Sequence, residues 1–355
     1  MESLGYAGSA SGTANGLDAF LTDGLTDPKD MRGVLNRFKA AKLLMDKAKT
    51  PDDYKLAAPL LASIVAESPE SMMFQHMLGH CYLRSGDAAS AITALEAARK
   101  LDGGFAPVAA ALGDAHTLVG NAEEAIRHYE ASLRLDPNSA DVHTKLGDLL
   151  AGSGRRTEAL DHYRRAIALM PKLAAAHIRI GELLSEDRQF DEVVRHYRAA
   201  LAVQPEDDGT HYNLGVVYSE LGDLASAERE FREAIRRNAE NGDAYLNLGT
   251  TLVRLGRPGD VEAAMEPALS LPAVAAKAHY TVGVAMARLG RLDQTIRLYE
   301  RAIELDPCYV AAIEELTGYL LSQRRTGDAV RVFRLSVKSG CDDPRVLHSL
   351  AKRKE

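Results

Sequence analysis

Seven glycines, Gly79, Gly113, Gly147, Gly181, Gly215, Gly249 and Gly283, stand at a constant step of 34 residues. Each follows an apolar residue: Leu78, Leu112, Leu146, Ile180, Leu214, Leu248 and Val282. The whole chain of 355 residues holds 28 glycines, too few for chance to set seven in one register. A period of this length means one small supersecondary unit copied along the chain, each copy burying its apolar face on the next. It rules out two or three unrelated globular domains, which length alone would suggest.

Other columns keep the step. Seven residues after the repeat glycine come Gly86, Gly120, Gly154, Gly222, Gly256 and Gly290. Twelve after come Ala91, Ala125, Ala159, Val193, Ala227, Val261 and Thr295; sixteen after come Leu95, Tyr129, Tyr163, Tyr197, Phe231, Met265 and Tyr299. Nineteen after come Ala98, Ser132, Ala166, Ala200, Ala234, Ala268 and Ala302, and Pro137, Pro171, Pro205 and Pro307 close four of the units. The first glycine falls inside a helix, where glycine costs about 1 kcal/mol relative to alanine. That cost predicts the close approach of another helix backbone. The second glycine suits a left-handed residue that ends a first helix. Asn121 and Glu124 have capping-box spacing for the start of the second helix. The small/large/small columns form a buried helical stripe, and proline turns the chain out of the unit.

Composition agrees with close helix packing. Aromatics make up 6%, tryptophan is absent and hydrophobic residues reach 46%, so the core rests on Ala, Leu, Val and Ile. Strands favour aromatic and β-branched residues instead.

The pattern resembles the tetratricopeptide repeat (TPR) family, whose unit is a helix–turn–helix. The resemblance rests on the Leu-Gly step, the Ala/aromatic/Ala step and the closing proline. It implies an all-α fold, an α-solenoid wound as a right-handed superhelix, with a C-terminal capping helix. Full units are expected at 72–105, 106–139, 140–173, 174–207, 208–241, 242–275 and 276–309, with degenerate units at 38–71 and 310–343. The array thus covers 38–343, a capping helix 344–355, and a flexible segment 1–37 precedes it. Within that segment, residues 17–36 carry Leu17, Phe20, Leu21 and Leu25 among acids, as a mobile tail or a docking segment for a groove. Four residues before the repeat glycine the family usually has a large aromatic; here stand Gln75, Ala109, His143, His177, His211, Tyr245 and His279.

No nucleophile elbow, phosphate loop, zinc motif or calcium loop occurs where its mechanism needs it, so no catalytic residue, cofactor or metal is expected. His143, His177 and His211 lie on one column and His128, His162 and His196 on another. Equivalent positions in stacked units are separated by at least a helix-packing distance of about 8–10 Å. Two zinc ligands must sit far closer than that, so members of one column cannot share an ion. Cys81, Cys308 and Cys341 show no metal spacing, and no disulfide is expected; the simple reading is a reducing, cytoplasmic compartment. The N-terminal stretch lacks the basic and apolar regions of a secretory signal, and no run is apolar enough to span a membrane.

By the resemblance, function lies in the concave groove lined by the first helices, and the partner is a protein or peptide. The candidate groove residues are Lys145, Arg179, Glu182, Tyr212, Asn213, Asn247, Arg254, Lys277, Tyr280 and Arg288. Asp114, Asp141, Asp148, Glu182 and Glu186 against Lys145 and Arg179 make the N-terminal half acidic, and Arg254, Lys277 and Arg288 against Asp243 make the C-terminal half basic. Side-chain amides such as Asn213 and Asn247 bond an extended main chain through both donor and acceptor. The family's carboxylate clamp is matched only by Asn247 and Lys277, since Val216 and Thr281 replace the expected Asn and basic residue. The expected function is therefore a non-catalytic protein-interaction scaffold. The alternative is a targeting or regulatory subunit of an enzyme complex, for example in glycosyl transfer. Homo-oligomers through the N-terminal segment or the terminal repeats are possible partners of the same kind. A nucleic-acid partner is excluded, because Lys+Arg 43 against Asp+Glu 50 leaves a net charge of -7.

Overall fold

The computed structural model of the chain describes residues 28–338 and residue 341. These residues are all-helical, with no strand among them. The expected capping helix at 344–355 and the segment before residue 28 lie outside the described residues. Two compact units divide between Arg179 and Ile180.

In the first unit the helices are α1 (Pro28–Lys47), α2 (Pro51–Glu67), α3 (Met72–Ser85), α4 (Ala88–Leu101), α5 (Ala106–Leu118), α6 (Ala122–Leu135), α7 (Ala140–Gly152) and α8 (Arg156–Leu169). Helix α9 (Ala174–Glu186) carries the chain across the division. The second unit continues with α10 (Phe190–Val203), α11 (Asp208–Leu221), α12 (Leu224–Arg237), α13 (Gly242–Arg254), α14 (Val261–Met265), α15 (Ala275–Arg288), α16 (Leu292–Leu305), α17 (Val310–Ser322) and α18 (Thr326–Lys338). Helix α1 starts at Pro28, ten residues before the first repeat was expected. Its Val34, Phe38 and Ala41 are buried in one cluster with Leu61 and Ile64 of α2. This apolar stripe makes residues 28–37 part of the first hairpin rather than a tail.

The repeat columns build the hairpins. All six glycines that end first helices have positive φ, between 71° and 84°. Two arginines occupy the same column where glycine is missing, Arg188 (φ 55°) and Arg324 (φ 59°). Ser71, Ser139, Asp207 and Asn241 cap first helices through their side chains, and Asp87 and Asp223 cap second helices. Asn121 makes no such bond: its expected partner Glu124 pairs with Arg127 instead.

The mid-helix glycines make room for a side chain, not for the backbone that their cost predicts. A β-carbon on Gly113 would stand 2.5 Å from two ring carbons of Tyr129. Tyr163 crosses Gly147, Tyr197 crosses Gly181, Phe231 crosses Gly215 and Tyr299 crosses Gly283 in the same way. Among the described residues these rings are the largest fully buried side chains. Five hairpins therefore close by laying one aromatic face on a bare stretch of helix, while Leu95 covers Gly79 and Met265 covers Gly249; close packing of this kind supplies dispersion contacts that a β-carbon would disrupt.

Two readings from the cysteines and the columns are corrected. The second helix of unit 242–275 is broken into a 3-10 turn at Pro258–Asp260, the short α14 and a second 3-10 segment at Glu266–Ser270. Pro258 opens the first turn and Pro267 removes an N–H and crowds the preceding turn, which disfavours an unbroken helix here. Val261, Met265 and Ala268 stay buried, which keeps the stripe. Cys308 and Cys341 form a disulfide with Cα atoms 5.1 Å apart. They are 33 residues apart, one short of the repeat, so successive turns bring them face to face. That bond removes the cysteine argument for a reducing compartment. Cys81 remains a buried thiol, donating to the Tyr54 carbonyl at 3.1 Å, and burial pushes its pKa up to about 11.

Candidate functional site

In the first unit the candidate cations already hold carboxylates. Lys145 Nζ lies 3.0 Å from Asp114 and 2.9 Å from Asp141. Burial works against its charge, but these two acids outweigh burial and raise its pKa. Arg179 Nε lies 3.0 Å from Asp148. The same acids accept from the buried ring hydroxyls: Tyr129 donates to Asp114 at 2.6 Å and Tyr163 to Asp148 at 2.8 Å. Tyrosine, aspartate and a cation of the next first helix thus form one repeated ladder. Lys145 and Arg179 offset two of the three charges of Asp114, Asp141 and Asp148, so these acids are paired while the ladder keeps a net negative charge.

The remaining candidates fall in the second unit. Glu182 is half-buried near Tyr197, whose hydroxyl burial, with the Glu182 charge assisting, pushes up to about 12. Tyr212 packs its ring against Phe231, with centroids 6.1 Å apart, and accepts a hydrogen bond from Asn247 Nδ2 at 3.2 Å. Asn213 is half-buried beside it on α11. Tyr280 stacks on Tyr299 at 5.4 Å and meets Tyr309 edge-on at 5.2 Å. Lys277 is exposed one turn before Tyr280 on α15.

Arg254 and Arg288 make equivalent contacts one repeat apart. Arg254 donates to the Ser219 hydroxyl at 2.7 Å and to the Ser219 carbonyl at 3.3 Å; Arg288 donates to the Val253 carbonyl at 3.4 Å. Each carbonyl lies in the last turn of a preceding first helix, where the macrodipole favours a cation. The contact orients the guanidinium, which has five N–H donors, while both residues remain exposed. Sequence reasoning placed both arginines on one column but missed Ser219 and Tyr309, which hold Arg254 and Tyr280 in place. The anchors belong to other columns, so column-wise reading does not connect them.

The histidines pair across columns. His143 Nδ1 lies 2.9 Å from His162 Nδ1, and His143 donates its Nε2–H to the Pro137 carbonyl at 3.2 Å. His211 puts Nδ1 2.8 Å from Glu230 and Nε2 3.2 Å from the Pro205 carbonyl. At two places where alanine stands for one partner, Ala109 and Ala264, an open cleft is found. One, of about 420 Å3, is lined by Ala109 and His128; the other, of about 640 Å3, by Tyr245 and Ala264. Among the described residues no group of three or more His, Cys, Asp or Glu is arranged to hold a metal ion. No described helix is long and apolar enough to cross a membrane.

A stack of antiparallel hairpins with a bare glycine under each ring defines a helical-repeat protein. TPR family models match residues 51–115, 105–172, 178–242, 212–260 and 246–309, and the chain belongs to the tetratricopeptide repeat family. Its fold is similar to that of the C-terminal part of a TPR repeat-containing protein from Cytophaga hutchinsonii. The two share 13% identity at a TM-score of 0.59, over 68% of this chain and 99% of the other. YrrB, a TPR protein with an unusual peptide-binding site, is 20% identical at a TM-score of 0.49, over 53% of this chain and 96% of its own. The pilF protein of Pseudomonas aeruginosa is 20% identical at 0.48, over 59% and 95% respectively. No match is found among curated proteins.

Proposed function

We propose that the chain is a protein-interaction scaffold whose second unit binds an extended peptide of a partner protein. The peptide main chain lies along Tyr212, Asn213 and Asn247. An acidic stretch of it meets Arg254, Lys277 and Arg288, and Tyr280 offers an aromatic face beside them. Lys145, Arg179 and Glu182 continue the same first-helix columns and shape the surface through their ion pairs and rings rather than as free charges.

The observation that carries this reading is the equivalent anchoring of Arg254 and Arg288. Two guanidiniums oriented in one direction, one repeat apart, favour an extended ligand with carboxylates at a matching interval. Charge-assisted pairs with arginine are strong and directional. The test is a displayed peptide library selected on the intact chain. Selected sequences should carry Asp or Glu clusters, and Arg254→Glu with Arg288→Glu should weaken them at least tenfold while circular dichroism stays unchanged. Acid-independent selection, or equal affinity for the double variant, would overturn the proposal.

A further inference from the structure

We propose that the cleft over Ala109 receives the imidazole ring of a histidine side chain presented by a partner polypeptide. The inference rests on the chain's own repeats and not on the groove of the second unit. Five first helices carry a nitrogen-bearing side chain in this column; His279 donates its Nδ1–H to the Ala275 carbonyl of its own helix at 2.9 Å, and the other four are Gln75, His143, His177 and His211. Each of these four places Nε2 between 3.1 and 3.3 Å from the carbonyl six residues earlier, at Pro69, Pro137, Pro171 and Pro205. Two of the histidines direct Nδ1 at the residue nineteen positions later, His143 at His162 and His211 at Glu230.

Ala109 breaks the series. Its two counterpart groups are still present: six residues earlier stands Gly103, and nineteen later His128, and both line the 420 Å3 cleft. With no ring on residue 109, His128 stacks on His116 instead, with centroids 5.2 Å apart and planes within 10°. Phe105, Val108 and Leu135 supply apolar walls. The site therefore offers what holds His143 in its own hairpin. A neutral imidazole seated there donates one N–H to the Gly103 carbonyl and accepts from His128 with its other nitrogen. Two rim pairs are already matched, Glu96 with Arg99 and Glu124 with Arg127, and Asp102, which accepts from the Gly104 N–H, is the remaining acid of the lining. Both arginines of the lining are thus engaged and none is left for the carboxylate of a free amino acid, which favours a side chain within a polypeptide. The cleft at Ala264 differs, because its own hairpin supplies the ring of Tyr245 and lacks the partner.

The experiment is a titration of the full chain, with labelled histidines, followed by NMR at pH 8. Imidazole should saturate with a dissociation constant on the order of millimolar, as suits so small a ligand, and should move the His128 signals. Phenol should bind at least tenfold more weakly. N-acetylhistidine methylamide should bind at least as well as imidazole, and zwitterionic histidine more weakly. Ala109→His should supply the ring from within and abolish the response. His143→Ala should create a second imidazole site that moves the His162 signals, an arm that stands even if Ala109→His fails to fold. No saturable shift at His128, equal binding of phenol, persistence in folded Ala109→His, or no new site in His143→Ala would each overturn the assignment of ligand chemistry. Tighter binding of free histidine than of the capped form would overturn its source.

Discussion

The ring of Tyr129 lies across Gly113 so closely that a β-carbon at residue 113 would stand 2.5 Å from two of its carbons. Elsewhere in a helix, glycine to alanine stabilises by about 1 kcal/mol. Here the ring is walled in and its hydroxyl is held by Asp114 at 2.6 Å, so it cannot step aside. Gly113→Ala should therefore destabilise, net of propensity, by about 1–3 kcal/mol, the range of core overpacking. In a Tyr129→Ala background the same substitution should stabilise. The check is a double-mutant cycle by urea denaturation, read as a change of sign. A neutral or stabilising Gly113→Ala in the native background would mean the ring is not seated there.

Arg188 and Arg324 adopt the left-handed conformation that glycine takes at six equivalent turns. A side chain there costs roughly 1–2 kcal/mol. Arg324→Gly should raise stability by about 1 kcal/mol, after glycine's own entropy loss. Arg188→Gly should gain less, because Arg188 pairs with Glu220 at 3.1 Å and lies over the Phe190 ring at 5.0 Å. Thermal midpoints of the two variants measure the difference. Equal gains would show that the Arg188 contacts contribute nothing.

The hairpins were legible because each column repeats one physical demand: a bare helix face, a ring, a left-handed turn. What failed was any property that joins two columns. The cost of Gly113 was visible, but its cause, Tyr129, lies in a different column, and a backbone was expected in its place. His143 and His162 stand on different columns, so the repeat step alone does not connect the two rings that meet at 2.9 Å. Pro258 and Pro267 were visible breakers, yet the intact stripe of Val261, Met265 and Ala268 concealed the broken helix. In the candidate site, Arg254 and Arg288 could be read from spacing. The pairing of Asp114 with Lys145 and of Asp148 with Arg179 could not, because it depends on which cation of the next helix reaches back.

The pair His143–His162 predicts acid sensitivity in the first unit. Burial holds both below the ordinary histidine pKa; Arg165 adds to this at His143 and His143 adds to it at His162. The Pro137 carbonyl opposes the shift at His143, and Glu130, Glu158 and Asp161 oppose it at His162. The folded chain then binds fewer protons than the unfolded one, so stability present above the unfolded value of about 6.5 is lost as pH falls through it. Two imidazolium rings also cannot share the Nδ1 bond. His143→Gln should keep the carbonyl contact, as Gln75 does with Pro69 at 3.3 Å, while removing the titration. The loss of stability between pH 7.5 and pH 5 should shrink by on the order of 1 kcal/mol in this variant. Identical pH profiles for variant and parent would exclude the pair as a source of acid lability.

The disulfide between Cys308 and Cys341 closes a loop of the chain that contains α17 and α18. Its removal should cost about 3–4 kcal/mol if loop entropy in the unfolded chain dominates. In a repeat array stability is shared mainly between neighbours, so the loss should stay near the last hairpin. Hydrogen exchange at residues 310–338 should therefore quicken after reduction, or in Cys341→Ser, while residues 88–169 keep their protection. Thiol counting gives an independent check. The native chain should show almost no fast-reacting thiol, because Cys81 is buried and its pKa is pushed up to about 11. Denaturation without reductant should expose one thiol, and reduction should raise the count to three. Three thiols before reduction would show that the bond does not form in the isolated protein, and the exchange difference should then vanish with it.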